Sequence, residues 1–131
     1  MELLNVIVAG IAGFAVGAVW YMSLAKPWMQ ATGIKMGPDG KPAGGSSPMP
    51  MIIGFVAMLV VAGMMRHIFQ MAAIDTTGKG LIGGLGIGAF FITPWIAMNN
   101  AFGMRPLMLT VIDSGYAILG SAVIGLVLTL F

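Results

Sequence analysis

Cysteine is absent from this 131-residue chain, and histidine occurs once. Without thiols there is no disulfide framework, no thiolate metal site and no cysteine nucleophile, and the redox compartment leaves no mark on the sequence. Around a lone histidine no Ser/His/Asp set and no His/Glu metal spacing can be assembled, so neither an enzyme nor a resident metal or other cofactor is expected. Charge is scarce as well. Asp, Glu, Lys and Arg make up 8% of the residues, against roughly a quarter in a soluble domain. Six Lys/Arg and four Asp/Glu leave a net +2, too few and too scattered for a nucleic-acid footprint.

What remains is apolar. Hydrophobic residues reach 59% and the mean hydropathy is +1.01, which places the chain in a membrane, its partner being the lipid bilayer. A bundle in lipid needs no large water-excluding core, because lipid solvates its outer face. Apolar runs of about 20 residues cross the ~30 Å hydrocarbon layer as helices. Four are present, at about 3–25, 49–72, 80–102 and 107–130. The expected fold is all-α: an integral membrane four-helix bundle, residues 1–131 forming a single transmembrane domain with both termini on the same side. Ser23 and Ala25 make a small-x-small site, but the first run is too long for a cleaved signal and lacks a basic segment before it.

Residues 26–48 read as an extramembrane loop rich in Gly, Pro and Ser, with Pro38, Asp39 and Gly40 supplying a turn. Its first part, Lys26 to Ala31, sets Trp28 and Met29 beside Lys26 and suits the membrane interface, next to Trp20 and Tyr21 in the aromatic belt. The second connection, AIDTTGKG, is short. The third is little more than Gly103 to Arg105; Gly103 suits a helix C-cap and Pro106 a first helical turn, so the last two spans form a tight antiparallel hairpin. Lys26, Lys35, Lys41 and Arg105 fall on the side of loops one and three, Arg66 and Lys79 on the other. For a multi-pass protein of a cytoplasmic (inner) membrane, that bias favours loops one and three cytoplasmic with both termini outside, by a margin that leaves dual topology open.

In lipid, small residues at every fourth position let helix backbones approach. Three spans carry such ridges: Ala9, Gly13 and Gly17; Gly80, Gly84 and Gly88; Ala117, Ser121 and Gly125. The cluster GGLGIG at 83–88 has no strand before it and lies inside an apolar run, so it is not a phosphate loop. Pro94 removes one helix hydrogen bond and clashes with the carbonyl of Phe90, which predicts a kink. Arg66 and His67, near the end of the second span, suit a snorkelling cation and an interfacial ring. The thirteen methionines, Met49, Met51, Met104 and Met108 among them, are scattered without His or Cys companions and read as filler, not as a copper site.

Polar residues gather at one end. Counting from the third loop at 1.5 Å per residue, Asp113 lies roughly 10 Å into the last span and Asn99 and Asn100 roughly 5 Å up the third. Trp20 and Tyr21 end the first span on that side. Steps of four lead from Asp113 to Ala117, Ser121 and Gly125, which sets the carboxyl on the small-residue ridge. An unpaired carboxylate deep in a helix costs on the order of 2.5 to 3.5 kcal/mol. It needs partners or a proton: Asn99, Asn100, Tyr21, Tyr116, Trp20, Trp95 or Arg105 could supply the former.

GAVWYMSL at 17–24, the following Trp28 and Met29, and NNAFGMRPLMLTVIDSGY at 99–116 resemble a small bacterial membrane family, domain of unknown function 1761, over nearly the whole chain. The resemblance implies a Gly, Trp and Tyr closing the first helix, matched by Gly17, Trp20 and Tyr21. It also implies an asparagine pair and Arg-Pro ahead of an acidic or amide residue, Gly and Tyr, matched by Asn99, Asn100, Arg105, Pro106, Asp113, Gly115 and Tyr116. Four membrane helices come with it, and no activity. Two functions then compete: a helix-packing homo-oligomer or accessory subunit of a membrane assembly, and a small transporter or channel using Asp113 as a proton or cation site. A pathway needs polar positions along its length, whereas the midplane offers chiefly Thr93 and Ser121. Packing is the favoured reading, and an intramembrane enzyme the least favoured.

Overall fold

The computed structural model describes residues 3–40 and 47–131, and these are helical with no strand. Helix α1 spans Leu3–Ser23, α2 Ala25–Thr32 and α3 Met49–Met71. A continuous rod, Thr77–Phe102, is made of α4 (Thr77–Ile87), a π-helical turn (Gly88–Ile92) and α5 (Thr93–Phe102); α6 is Leu107–Leu128. The two single-stretch helices α1 and α3, the rod and α6 are each long and apolar enough to cross a membrane. Lipid offers no partner to backbone polar groups, so such runs must close their hydrogen bonds internally, as helices do.

The fifth helix, α2, replaces the start of the loop expected at 26–48. Its chain turns at Leu24, and Pro27 sits in the first turn, where its missing N–H is no loss. Gly33, at φ +81°, ends it, its N–H donating to the carbonyl of Met29 at 3.0 Å. Met29 and Ala31 are buried against the bundle while Lys26 and Gln30 stay exposed. The remainder of that expected loop includes residues 41–46, which lie outside the described residues. The third span begins at Thr77, three residues before the apolar run that marked it at 80. The Thr76 hydroxyl accepts from the Lys79 N–H at 3.3 Å and caps it, a signal that hydropathy does not carry.

Helix α6 is the hub. Nine of its residues are buried, against none in α5, because it packs against α1 on one side and the Thr77–Phe102 rod on the other, with α3 outside α1. Toward α4 the contact is backbone on backbone. Gly80 lies against the Gly125 carbonyl and Thr129, Gly84 against the Ser121 carbonyl, and a Cβ at Gly88 would stand 2.5 Å from the Ala117 carbonyl oxygen. Toward α1, a Cβ at Gly13 would meet Ile124 at 2.8 Å and one at Gly17 would meet the Tyr116 ring at 2.7 Å. All three ridges are therefore occupied inside one chain. Where α1, α3 and α6 meet, Val6, Ala9, Ala62, Met65, Phe69, Ile124 and Leu128 form the apolar core.

At the far end Asn5 is buried, and its amide donates to the carbonyls of Leu128 (3.0 Å) and Phe131 (2.9 Å). Leu128 ends α6, where carbonyls lack helical partners, and the two bonds bring the start of α1 beside the end of α6. Pro94 is taken up by the π turn. The Thr93 N–H and its hydroxyl, the latter at 2.7 Å, both donate to the Gly88 carbonyl, which widens the helix just before the residue that cannot donate. In the hairpin the left-handed residue is Met104, at φ +53°, and not Gly103, at φ −77°. Arg105 N–H to Asn100 O (2.8 Å) and Met104 N–H to Ala101 O (3.1 Å) close a Schellman turn.

Gly84→Leu forces α4 off α6 and is expected to lower bundle stability by about 3 kcal/mol, the upper end for overpacking. Gly86, with nothing within 4 Å of a Cβ, accepts leucine within about 0.5 kcal/mol. Unfolding in detergent micelles measures both, and equal losses would remove the packing account.

Candidate functional site

Gly17, Trp20 and Tyr21 stand at i, i+3 and i+4 and so share one face of α1. That face meets α6 at Ile112, Asp113, Gly115 and Tyr116. The Trp20 indole N–H donates to the Ile112 carbonyl at 2.8 Å, and its ring lies directly on Gly115, leaving no room for a side chain there. Tyr116 makes the reciprocal contact. Its ring covers Gly17, and its hydroxyl donates to the Gly13 carbonyl at 2.9 Å, with the Met58 sulfur of α3 at 3.1 Å. Each helix thus yields a glycine to an aromatic ring of the other, and each ring finds a carbonyl for its polar atom, as a buried Trp or Tyr requires.

Between these two contacts the Tyr21 hydroxyl donates to Asp113 Oδ1 at 2.6 Å, a length typical of O–H bonds to a carboxylate. The Tyr21 ring meets Tyr116 edge-on at a centroid distance of 5.6 Å and Trp28 of α2 at 5.9 Å. The carboxyl therefore sits at the junction of α1 and α6, roofed by aromatic rings. It departs from the small-residue ridge. Four residues advance a helix by 400°, so a step of four drifts 40°, and Asp113 and Gly125 lie about 120° apart around α6. Asp113 faces α1, whereas Ala117, Ser121 and Gly125 face α4.

Other candidates go elsewhere. Asn100 donates to the Thr110 hydroxyl at 3.1 Å and ties the hairpin across its turn. Asn99 and Trp95 are exposed on the outer surface. Arg105 does not reach Asp113; its guanidinium donates to the carbonyl of Thr32, the last residue of α2, at 2.8 Å. An apolar groove of about 550 Å³ runs along α1, lined by Val16, Val19, Trp20 and Leu119 among others, and Asp113 is not one of its walls. Among the described residues no three His, Cys, Asp or Glu side chains come together as metal ligands.

The family described as Protein of unknown function (DUF1761) matches residues 4–129. The chain belongs to that family. Neither the curated proteins nor the solved structures give a match to it.

Sequence reasoning missed four polar partners in this DUF1761 chain. Thr110 had a signal, since it and Asn100 lie five residues to either side of Arg105 and face each other once the hairpin closes. Met58 and the Thr32 carbonyl had none, because both meet the site only through tertiary packing. Asn5 is the lone amide in an apolar run, and its role depends on where α6 ends.

The Tyr21–Asp113 bond predicts a coupling of about 1 kcal/mol in a double-mutant cycle of Tyr21→Phe with Asp113→Leu. Asp113→Asn keeps an acceptor oxygen and is expected to retain most of the stability. Unfolding midpoints in micelles report both; additive losses would mean that the contact joins nothing.

Proposed function

We propose that this DUF1761 chain is a helix-packing component of a membrane assembly, as a homo-oligomer or as an accessory subunit of a larger complex, and performs no catalysis. The bond from Tyr21 to Asp113 at 2.6 Å carries this reading, since it spends the one acidic side chain of the spans on joining α1 to α6. Of the other polar residues of the spans, Thr93 bonds its own helix at Gly88, and Ser114 and Ser121 are buried within α6 contacts, apart from one another. No line of polar groups is left through the span, which argues against a proton or cation pathway. With the glycine faces filled inside the chain, a partner meets the outward sides of α3 and of the Thr77–Phe102 rod, where Val60, Met64, Phe91 and Trp95 are exposed.

Cross-linking in native membranes followed by purification is expected to give a defined higher-mass species, either multiples of this chain or a complex with a larger subunit. A species of monomer mass alone would sink the proposal. So would proton or cation flux in reconstituted vesicles that Asp113→Asn abolishes.

The bias of Lys26, Lys35 and Arg105 supports a cytoplasmic loop end. Because the chain has no cysteine, single substitutions report the topology cleanly. An impermeant maleimide applied to intact cells is expected to label Thr77→Cys and spare Ser47→Cys; the opposite pattern reverses the orientation, and labelling of both means dual insertion.

A further inference from the structure

At the loop end, α2 and the start of α6 leave a crevice of about 300 Å³ lined by Pro27, Gln30, Ala31, Pro106 and Met108. Its floor is apolar and its rim is not. Gln30 lies in the lining, Lys26 stands one helical turn before it, and Arg105 precedes Pro106 and is held by the Thr32 carbonyl at 2.8 Å, next to Ala31. That bond uses one of the five guanidinium donors, and the side chain is exposed. It also places the cation at the C-terminus of α2, where the helix dipole favours positive charge.

Positive charge is in excess here, Lys26, Lys35, Lys41 and Arg105 standing against Asp39 and Asp113. Asp113 is occupied by Tyr21, and no carboxylate pairs with Lys26, Lys35 or Arg105 among the described residues; the ion pair Lys79–Asp75, at 3.8 Å, is at the opposite end. An apolar crevice beyond the end of α1, with Gln30 in its lining and Lys26 and Arg105 each next in sequence to a lining residue, suits a phosphate with acyl chains attached. We propose that this crevice binds the headgroup of an acidic phospholipid. Arg105 and Lys26 hold the phosphate, Gln30 hydrogen-bonds the polar headgroup, and Pro27, Ala31, Pro106 and Met108 receive the first methylenes. Arg105 then has two duties, fastening α2 to the hairpin and presenting its remaining N–H groups to the lipid.

The test is native mass spectrometry of the delipidated full chain, titrated with phosphatidylglycerol or with phosphatidylcholine of the same acyl chains. The wild type is expected to bind phosphatidylglycerol the more tightly. A cation near an anionic lipid surface is worth about 1 kcal/mol, so Lys26→Gln and Arg105→Gln should each weaken phosphatidylglycerol binding roughly fivefold and weaken phosphatidylcholine, whose phosphate is balanced by its own choline, by clearly less. Lys79→Gln, at the other end, should alter neither. Lys26 has no bond within the chain to lose, so its substitution should keep the wild-type unfolding midpoint even where Arg105→Gln loosens α2. Equal binding of the two lipids by the wild type would overturn the proposal, as would a preference undiminished in the doubly substituted chain. Displacement of the lipid by millimolar inorganic phosphate would show a free-anion site instead.

Discussion

Lipid tails give no hydrophobic gain for bringing two helices together, so helices in a membrane hold by contact distance and by the hydrogen bonds they exchange. In this chain that constraint is met most severely between the Thr77–Phe102 rod and α6, where Gly80, Gly84 and Gly88 lay one backbone on the carbonyls of Gly125, Ser121 and Ala117. Any side chain on these glycines would separate the rods. With α4 fixed there, α6 has one flank closed, and its opposite flank must take α1 through larger groups. The aromatic rings of Trp20 and Tyr116 do this, each filling the space above a glycine of the facing helix.

The polar atoms follow from that arrangement. Bringing two aromatic residues into a helix interface buries an indole N–H and a phenol hydroxyl, and each finds a backbone carbonyl across the contact, Ile112 and Gly13 respectively. Tyr21 would be a third orphan were Asp113 not opposite, and Asp113 would be an unpaired carboxyl without Tyr21. The two resolve each other. The same logic governs the far end, where Asn5 covers the carbonyl of Leu128 and an oxygen of Phe131 and sets the start of α1 beside the end of α6. Tyr21, Asp113 and Asn5 thus mark where helices are joined, toward the two ends of the bundle, while glycine closes the contact between the rod and α6.

Helix α2 and the hairpin turn form a separate layer at the loop end. Arg105, the cation of the short connection, is drawn to the exposed carbonyl end of α2 and away from Asp113, since Tyr21 has already taken the carboxyl. This choice leaves positive charge at the loop end, near a crevice with a largely apolar lining. The interior of the bundle and its rim therefore differ: the first holds the helices together, and the second carries the excess positive charge.

Hydropathy alone determined that four runs must become helices, because twenty apolar residues in lipid have no other way to satisfy their backbones. Connection lengths determined that the last two pair as a hairpin, and an even number of spans put both termini on one side. The sequence also marked Gly17, Trp20, Tyr21, Asp113 and Tyr116 as residues of one end. Which of them touch was beyond it. Steps of four drift around a helix, so the ridge running from Asp113 to Gly125 divides between two neighbours, and only the packed helices decide that the carboxyl turns to α1 while the glycine turns to α4. The π turn before Pro94 and the left-handed Met104 were decided in the same way, since the alternatives differ by little locally and the choice falls to whichever lets α4, α5 and α6 stay in contact.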